Sequence, residues 1–509
     1  MSFLLNSINK TNEAFRKIGS FDSDIGMFTG FTAIDVLSSN IENIGELDVE
    51  ILNGGLFDYP YTELGMSSVG KSTFVIQKVA AAVDNWYRFY GPVSEAIFYN
   101  VEMHTSSRRW QTVTGWDDKM MAERVRFISK PMSIIEIYND LAVLAKHKLK
   151  YRNELEVDTG IRGIGGHTIK VLPTTYVIID SIAAIRTKTE LEFNKDGEVK
   201  STDSVAGTNN MDAMQIAKDN TIFINEAKKL CSDANICILM INHLVEVPVL
   251  DRYNPPKPQL PGMKYNQKVK GGNELLYQSF VVYMLTLKER LFNERNKIYG
   301  DSVHGIVAFM EWLKNKNGPE GIRYPMVFDT ATGYKPELSD FEMLYGEQQY
   351  GLAGSPQAYY LKILPEITFS RKTLLDKCHE EPILARAMSF TARAFLVEKH
   401  INFNNEKFDF DQLMELPYEA RIYLILKHSI DYPTYINHGW VVPDEYFEIY
   451  RDFAMVLEQE YYMSERLKQE AIELMTMGFL DSEKVFSLSG ETFKIGNTEY
   501  VLPDGEEDW

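Results

Sequence analysis

Residues 61–77 read Tyr61-Thr62-Glu63-Leu64-Gly65-Met66-Ser67-Ser68-Val69-Gly70-Lys71-Ser72-Thr73-Phe74-Val75-Ile76-Gln77. A short strand-forming run leads into two glycines that bracket four other residues, and Lys71 and Ser72 follow at once. Glycine at both ends lets the backbone turn its N–H groups inward, and the positive end of a helix opening through Thr73–Gln77 points the same way. Such a loop cradles phosphate. The expected nucleotide-binding set is Gly65, Met66, Ser67, Ser68, Val69, Gly70, Lys71, Ser72 and Thr73; Lys71 reaches the β- and γ-phosphates and the Ser72 hydroxyl ligates magnesium. ATP and Mg²⁺ are the implied ligands.

Outward from this loop, apolar strand-like runs alternate with helical stretches. They are Ala96–Val101, Tyr176–Asp180, Ile236–Ile241, Phe280–Leu285, Gly305–Leu313 and Tyr324–Phe328. Short apolar runs separated by helical segments predict an α/β fold over 51–345, a mostly parallel twisted sheet flanked by helices. Residues 1–50 read as a lead-in, with a short amphipathic helix over Asn6–Ile18. Residues 346–509 read as a mainly helical C-terminal domain ending in an acidic tail, Asp504–Asp508. There a long helix is expected from Asp444 to about Met477, after Pro443 and before Gly478, with Phe447, Tyr450, Ala454, Leu457 and Tyr461 on its core face.

Composition narrows the class. The 509 residues are 45% hydrophobic and 25% charged, as in an ordinary globular chain. No stretch approaches the ~20 apolar residues that span a bilayer, so no membrane partner is expected. Three cysteines without a CxxC pair argue against a disulfide framework or a structural zinc site, and point to a reducing cytoplasm. The net charge of −19 opposes a protein that coats DNA with its whole surface, but it leaves room for a local basic groove.

Two carboxylates join the phosphate loop. Val177-Ile178-Ile179-Asp180 is an apolar strand ending in Asp, which delivers a carboxylate to the magnesium shell at the C-terminal edge of the sheet. Glu102 ends Ile97–Val101, and on an adjacent strand it would orient and deprotonate the attacking water. The bland alternative for Glu102 is a surface residue starting a helix.

These pieces resemble the RecA/UvsX family of recombinases, most closely its bacteriophage members, over roughly residues 28–345. Asp180-Ser181-Ile182-Ala183-Ala184-Ile185 resembles the Walker B strand and its sequel. Ile241-Asn242-His243 resembles the strand end whose polar side chain senses the γ-phosphate, and Lys270-Gly271-Gly272-Asn273 the close of the second DNA-binding loop. Lys314-Asn315-Lys316 resembles the basic pair extended to a neighbour's ATP. The resemblance implies a RecA-like core, Glu102 as the water-activating residue, a catalytic role for Lys71, Lys314 and Lys316, and His243 in the nucleotide site. It also implies that residues 1–50 touch a neighbouring subunit. The phosphate loop departs from bacterial RecA, having Met66-Ser67 in place of Pro-Glu, and no aromatic after Glu102 matches the adenine contact. The bland alternative for His243 is a buried, hydrogen-bonded histidine.

A neighbouring family shares some of these features. Lys314–Gly321 is similar to the K-x-R-N-G-P-x-G segment of DnaB-type replicative helicases, and Val101-Glu102-Met103 to their L-E-M. Asp180–Ala184 and Gly271-Gly272-Asn273 look instead like the recombinases.

DNA is expected at Leu244–Lys270, which holds Arg252, Lys257, Lys264, Lys268 and Lys270 against Glu246 and Asp251. Pro248, Pro255, Pro256, Pro258 and Pro261 exclude a regular helix, so a long structureless segment is expected. Its cations would pair phosphates, Tyr253 and Tyr265 would stack on bases, and Gly271 and Gly272 would close the loop. A second insert, Arg186–Asp212, takes the position of the family's first DNA loop. The expectation is an ATP-dependent recombinase. It would form filaments on single-stranded DNA and pair it with a homologous duplex, in the cytoplasm or, for a viral protein, the bacterial host interior. The alternatives are a hexameric DnaB-type helicase and a non-enzymatic ATP-binding scaffold.

Overall fold

The computed structural model describes residues 26–401 except 39, 45–48, 54, 163–167, 186–205, 249–256 and 293–302. It also describes 410–415, 418, 421, 422, 425, 492–495 and 498–501. The expected helices at Asn6–Ile18 and Asp444–Met477, the acidic tail, and Arg252 and Tyr253 lie outside the described residues.

The strand before the phosphate loop is Pro60–Gly65 (β1), and every residue of it is buried. Helix α1 (Lys71–Tyr90) leads to β2 (Glu95–Asn100), α2 (Ser107–Thr114), β3 (Val125–Ile128), α3 (Ile134–Lys150) and β4 (Thr175–Asp180). Then come α4 (Ala206–Ala234), β5 (Ile236–Glu246), β6 (Gln267–Val269), α5 (Glu274–Gln278), β7 (Val281–Phe292), β8 (Val303–Asn315), β9 (Arg323–Asp329) and β10 (Gly333–Tyr334). The sheet order is β10-β9-β8-β7-β1-β5-β4-β2-β3, with β6 paired to β5. From β7 through β3 every neighbour is parallel, whereas β8 joins β7 and β10 joins β9 antiparallel. The fold is therefore α/β, with a mixed, mostly parallel central sheet flanked by helices. Each expected strand lies within or beside one of these. Strands β3, β6 and β10 are additions, too short for an apolar run to mark them.

Hydrophobic alternation decides which helices cover which face. Ile97, Tyr99, Val177, Ile179, Ile238 and Met240 point to one side and are buried with Ile137 and Leu141 of α3 and Phe223, Ile224 and Ala227 of α4. Each of the valine, leucine, isoleucine, methionine and phenylalanine side chains contributes about 1.5–3 kcal/mol of burial. Tyr176, one residue out of phase with Val177, takes a hydrogen bond from Trp86 of α1 at 3.0 Å, so α1 covers the opposite face. The same helix is held to β1 by an ion pair between Lys78 and Glu63, both fully buried. Burial pushes Glu63 up and Lys78 down, and each is opposed by its partner. The Lys78 amine also lies 4.8 Å from the Phe74 ring centre and 4.7 Å from that of Tyr283.

The chain divides into two compact units, one running to Arg323 with Phe328–Tyr334, the other comprising Tyr324–Val327 and Lys335 onward. In the second unit α6 (Pro336–Gly346) precedes an antiparallel meander of β11 (Leu352–Ser355), β12 (Ala358–Leu361) and β13 (Leu364–Phe369), followed by α7 (Leu374–Glu380) and α8 (Pro382–His400). Phe341, Tyr359 and Phe369 pack edge to face at its centre. Of the region expected to be mainly helical, 346–509, the described residues include α7 and α8 but also this meander, whose strands alternate too briefly to stand out. Among the described residues no helix is long and apolar enough to cross a membrane.

Candidate functional site

Parallel register brings the expected site to one edge. Gly65 pairs with His243 on one side and Leu285 on the other, Ile241 with Asp180, and Asp180 with Asn100. The C-terminal ends of β1, β2 and β4 thus line up with Ile241–His243 of β5, at the edge where ligands bind in open α/β sheets.

The loop between β1 and α1 is built to stay open. Gly70 caps α1 in the left-handed region at φ +83°, and Ser68 is left-handed at φ +64°. A Cβ on Gly65 would lie 2.8 Å from the Leu285 carbonyl, and one on Gly70 2.8 Å from the Tyr334 hydroxyl. That hydroxyl donates to the Val69 carbonyl at 2.8 Å, propping the loop from beneath. Met66, Ser67 and Ser68 are exposed at its crest, Val69 and Thr73 buried below. Lys71 is buried and donates to the carbonyls of Gly65 (3.0 Å) and Met66 (2.7 Å). Burial lowers its amine to about 8, against the pull of Asp180 and Glu102. The Ser72 hydroxyl hydrogen-bonds Asp180, whose carboxyl burial pushes up while Ser72 opposes the rise. Thr105 adds a hydroxyl 3.4 Å from Asp180 Oδ2.

This donor set fits magnesium. Among the described residues no group of three or more His, Cys, Asp or Glu side chains is arranged to hold a metal ion. Mg²⁺ needs none, because it keeps waters and substrate phosphates and takes one or two protein oxygens. Ser72 and Asp180 would be those oxygens.

Glu102 sits beyond the end of β2, its N–H donating to the Asp180 carbonyl at 3.1 Å. Oε1 accepts from the Ser181 hydroxyl and lies 3.0 Å from His243 Nε2. The hydrogen bond with His243, and then that with Ser181, hold the Glu102 carboxyl down at about 2 despite its partial burial. The carboxylate therefore stays ionised, with Oε1 held by both partners. His243 is thus in hydrogen-bond contact with Glu102, neither isolated nor fully buried.

Compared with models of known protein families the chain matches none, and no curated protein matches it in sequence.

Arg109 is a site residue the sequence did not reveal. Its guanidinium donates to Thr73 Oγ1 at 3.0 Å and to the carbonyls of Thr330 and Ala331, both at 2.9 Å. It ties the first turn of α1 to the turn between β9 and β10. The only sequence signal was an N-cap at Ser106, which starts α2 but does not say where its arginines point.

The described part of the segment expected to bind DNA carries regular structure, and this corrects the expectation of a structureless stretch. Strand β5 runs on to Glu246, and β6 returns antiparallel with Gln267 opposite Glu246 and Val269 opposite Leu244. Leu260, Met263 and Val269 are buried with Leu64, Leu244, Leu276 and Val282 and pin the segment to the core. Between these staples Lys257, Lys264, Tyr265, Lys268 and Lys270 are exposed. Asn242, beside His243, donates to the Lys270 carbonyl at 2.8 Å, and Asn220 of α4 to that of Gly271 at 2.9 Å. Gly272 faces Ala217 of the same helix. The segment's far end is therefore fastened next to the Glu102 contact.

Lys314 and Lys316 stand apart from their own phosphate loop. Lys314 pairs with Val282, which pairs with Thr62, so it lies three residues down the sheet from Gly65, ~10 Å of strand. Its amine donates to the carbonyls of Tyr277 (2.6 Å), Ser279 (2.6 Å) and Leu276 (3.3 Å). Burial, then the nearby charges of Lys316 and Lys228, lower it to about 8. Lys316 is exposed.

Proposed function

We propose that this chain is a RecA-type ATPase that assembles on single-stranded DNA and pairs it with a homologous duplex. One observation carries the reading. The phosphate loop, the Ser72–Asp180 pair and the Glu102–His243 contact share one sheet edge, and His243 lies on the strand that continues into the lysine-bearing hairpin. ATP would lie on the loop with Lys71 at its terminal phosphates. Bound magnesium supplies charge to offset that developing on the phosphoryl oxygens. Glu102 orients and deprotonates the attacking water. A terminal phosphate that draws on Glu102 or His243 alters their contact, and Asn242 carries the change to Lys270 and the hairpin. Lys314 and Lys316 act on a neighbouring subunit's nucleotide, so turnover requires a homo-oligomer, filament or ring. A cytoplasmic setting, or the interior of a host cell, provides these substrates.

The test offers the full chain ATP and single-stranded DNA with either a homologous duplex or a forked duplex. Joint molecules with the homologous partner are the expected result. Fork unwinding without pairing would make the chain a DnaB-type helicase instead.

A further inference from the structure

Three ties fix the turn after β2. Met103 N donates to the Asn100 carbonyl at 3.1 Å, with Met103 itself left-handed at φ +54°. Beyond it, the Asn100 side chain donates to the Thr105 carbonyl at 2.7 Å and accepts from Thr105 N at 3.4 Å. Thr105 in turn reaches Asp180. This reversal sets His104 beside Glu102 instead of two residues further out along an extended strand. His104 Nδ1 lies 3.3 Å from Glu102 Oε2, the oxygen opposite the one gripped by Ser181 and His243. The His104 side chain is 82% exposed and that of Glu102 20%, so the pair leads from the site interior to solvent.

We propose that His104 is the proton outlet of Glu102, a residue that acts through the carboxylate and receives the proton taken from the attacking water. The proposal rests on Glu102 being the base. In the step, the water oxygen bonds to the γ-phosphorus as the bond to the β–γ bridging oxygen breaks, and the water's proton passes to Glu102 Oε2. It then moves to His104 Nδ1, and the imidazolium releases its Nε2 proton to solvent. The exposed ring regains its starting tautomer by exchange with water. His243 cannot serve in this way, because its contact is with Oε1 and it orients the carboxylate. Lys71 and Asp180, the other charged groups nearby, are engaged with the phosphate loop and Ser72.

The experiment is steady-state ATP turnover by the full chain with single-stranded DNA. His104→Ala should lower kcat about tenfold with the ATP KM within about twofold, a smaller effect than the ~10²–10⁴ of a general base itself. His104→Gln, which keeps a polar contact but cannot carry a proton, should lose as much. Added imidazole should restore most of the turnover of His104→Ala. An unchanged kcat in His104→Ala, full activity in His104→Gln, or no rescue by imidazole would overturn the proposal. Glu102→Gln run alongside separates the two readings. If it turns over ATP at the wild-type rate, the base assignment fails and the outlet falls with it. If it is inactive while His104→Ala is not, the outlet alone fails.

Discussion

Gly70→Ala, with and without Tyr334→Phe, tests whether the phosphate loop is held open by the phenol beneath it. Alanine at φ +83° costs about 1–2 kcal/mol for the left-handed backbone alone. Its Cβ would lie 2.8 Å from Tyr334 Oη and 3.3 Å from the ring's Cε2 and Cζ. The ring has little room to shift, because it is buried against Phe31, Phe74 and Phe328 while its backbone N–H and carbonyl are tied to the Gln77 side chain. Overpacking adds about 1–3 kcal/mol, so the total of about 2–5 kcal/mol is a large part of a domain's ~5–15. Tyr334→Phe alone forfeits one hydrogen bond, about 0.5–1.5 kcal/mol. In the double variant the 2.8 Å contact is gone and only the 3.3 Å contacts remain. It should therefore lose less than the sum of the single changes, by about 1 kcal/mol, against an additivity error of ~0.3–0.5. The assay is urea unfolding followed by tryptophan fluorescence, since Trp86, Trp110, Trp116 and Trp312 all belong to the unit that carries the loop. Strict additivity, or a Gly70→Ala variant as stable as wild type, would refute the prop.

Three further outcomes are expected. Because the His243 contact holds Glu102 at about 2 instead of 4.5, its stabilisation is complete above pH 4.5 and lost as pH falls toward 2. The stability gap between wild type and His243→Ala should close over that range, and a gap independent of pH would contradict the contact. Replacing Lys257, Lys264 and Lys268 by alanine should flatten the salt dependence of single-stranded DNA binding by about 2 in log–log slope, at ~0.7 per phosphate contact; an unaltered slope removes the hairpin from the interface. Lys316→Ala, at an exposed position that spares the Lys314 cap of α5, should bind ATP yet turn over poorly, and mixing it with Lys71→Ala should restore activity. Inactivity of the mixture despite co-assembly would place Lys316 outside the neighbour's site.

The phosphate loop and the strand ending at Asp180 were legible because each is written in contiguous residues. Glycine spacing reports a backbone turn, and an unbroken apolar run reports a strand buried on both faces. His104 and Arg109 were not legible. Both lie on residues after β2 whose side-chain directions depend on a left-handed residue at Met103 and on the Ser106 cap. Nor did the prolines of 244–270 disclose that Leu260, Met263 and Val269 would staple the segment to Leu64 and Val282, which are remote in the chain.

What this sequence determined alone is local: a glycine-bracketed turn that opens a helix, the α/β alternation around it, and the residue types proposed to hold magnesium and move a proton. Tertiary structure decided which of them meet. Parallel pairing sets Gly65 level with His243 and Asp180 level with Asn100, although β1 and β5 are separated in sequence by most of the unit. It also turned Lys314 onto the end of α5, away from its own loop. Periodicity encodes which face of a strand is apolar, but neither the order of strands nor their register, and the site at this edge is a consequence of both.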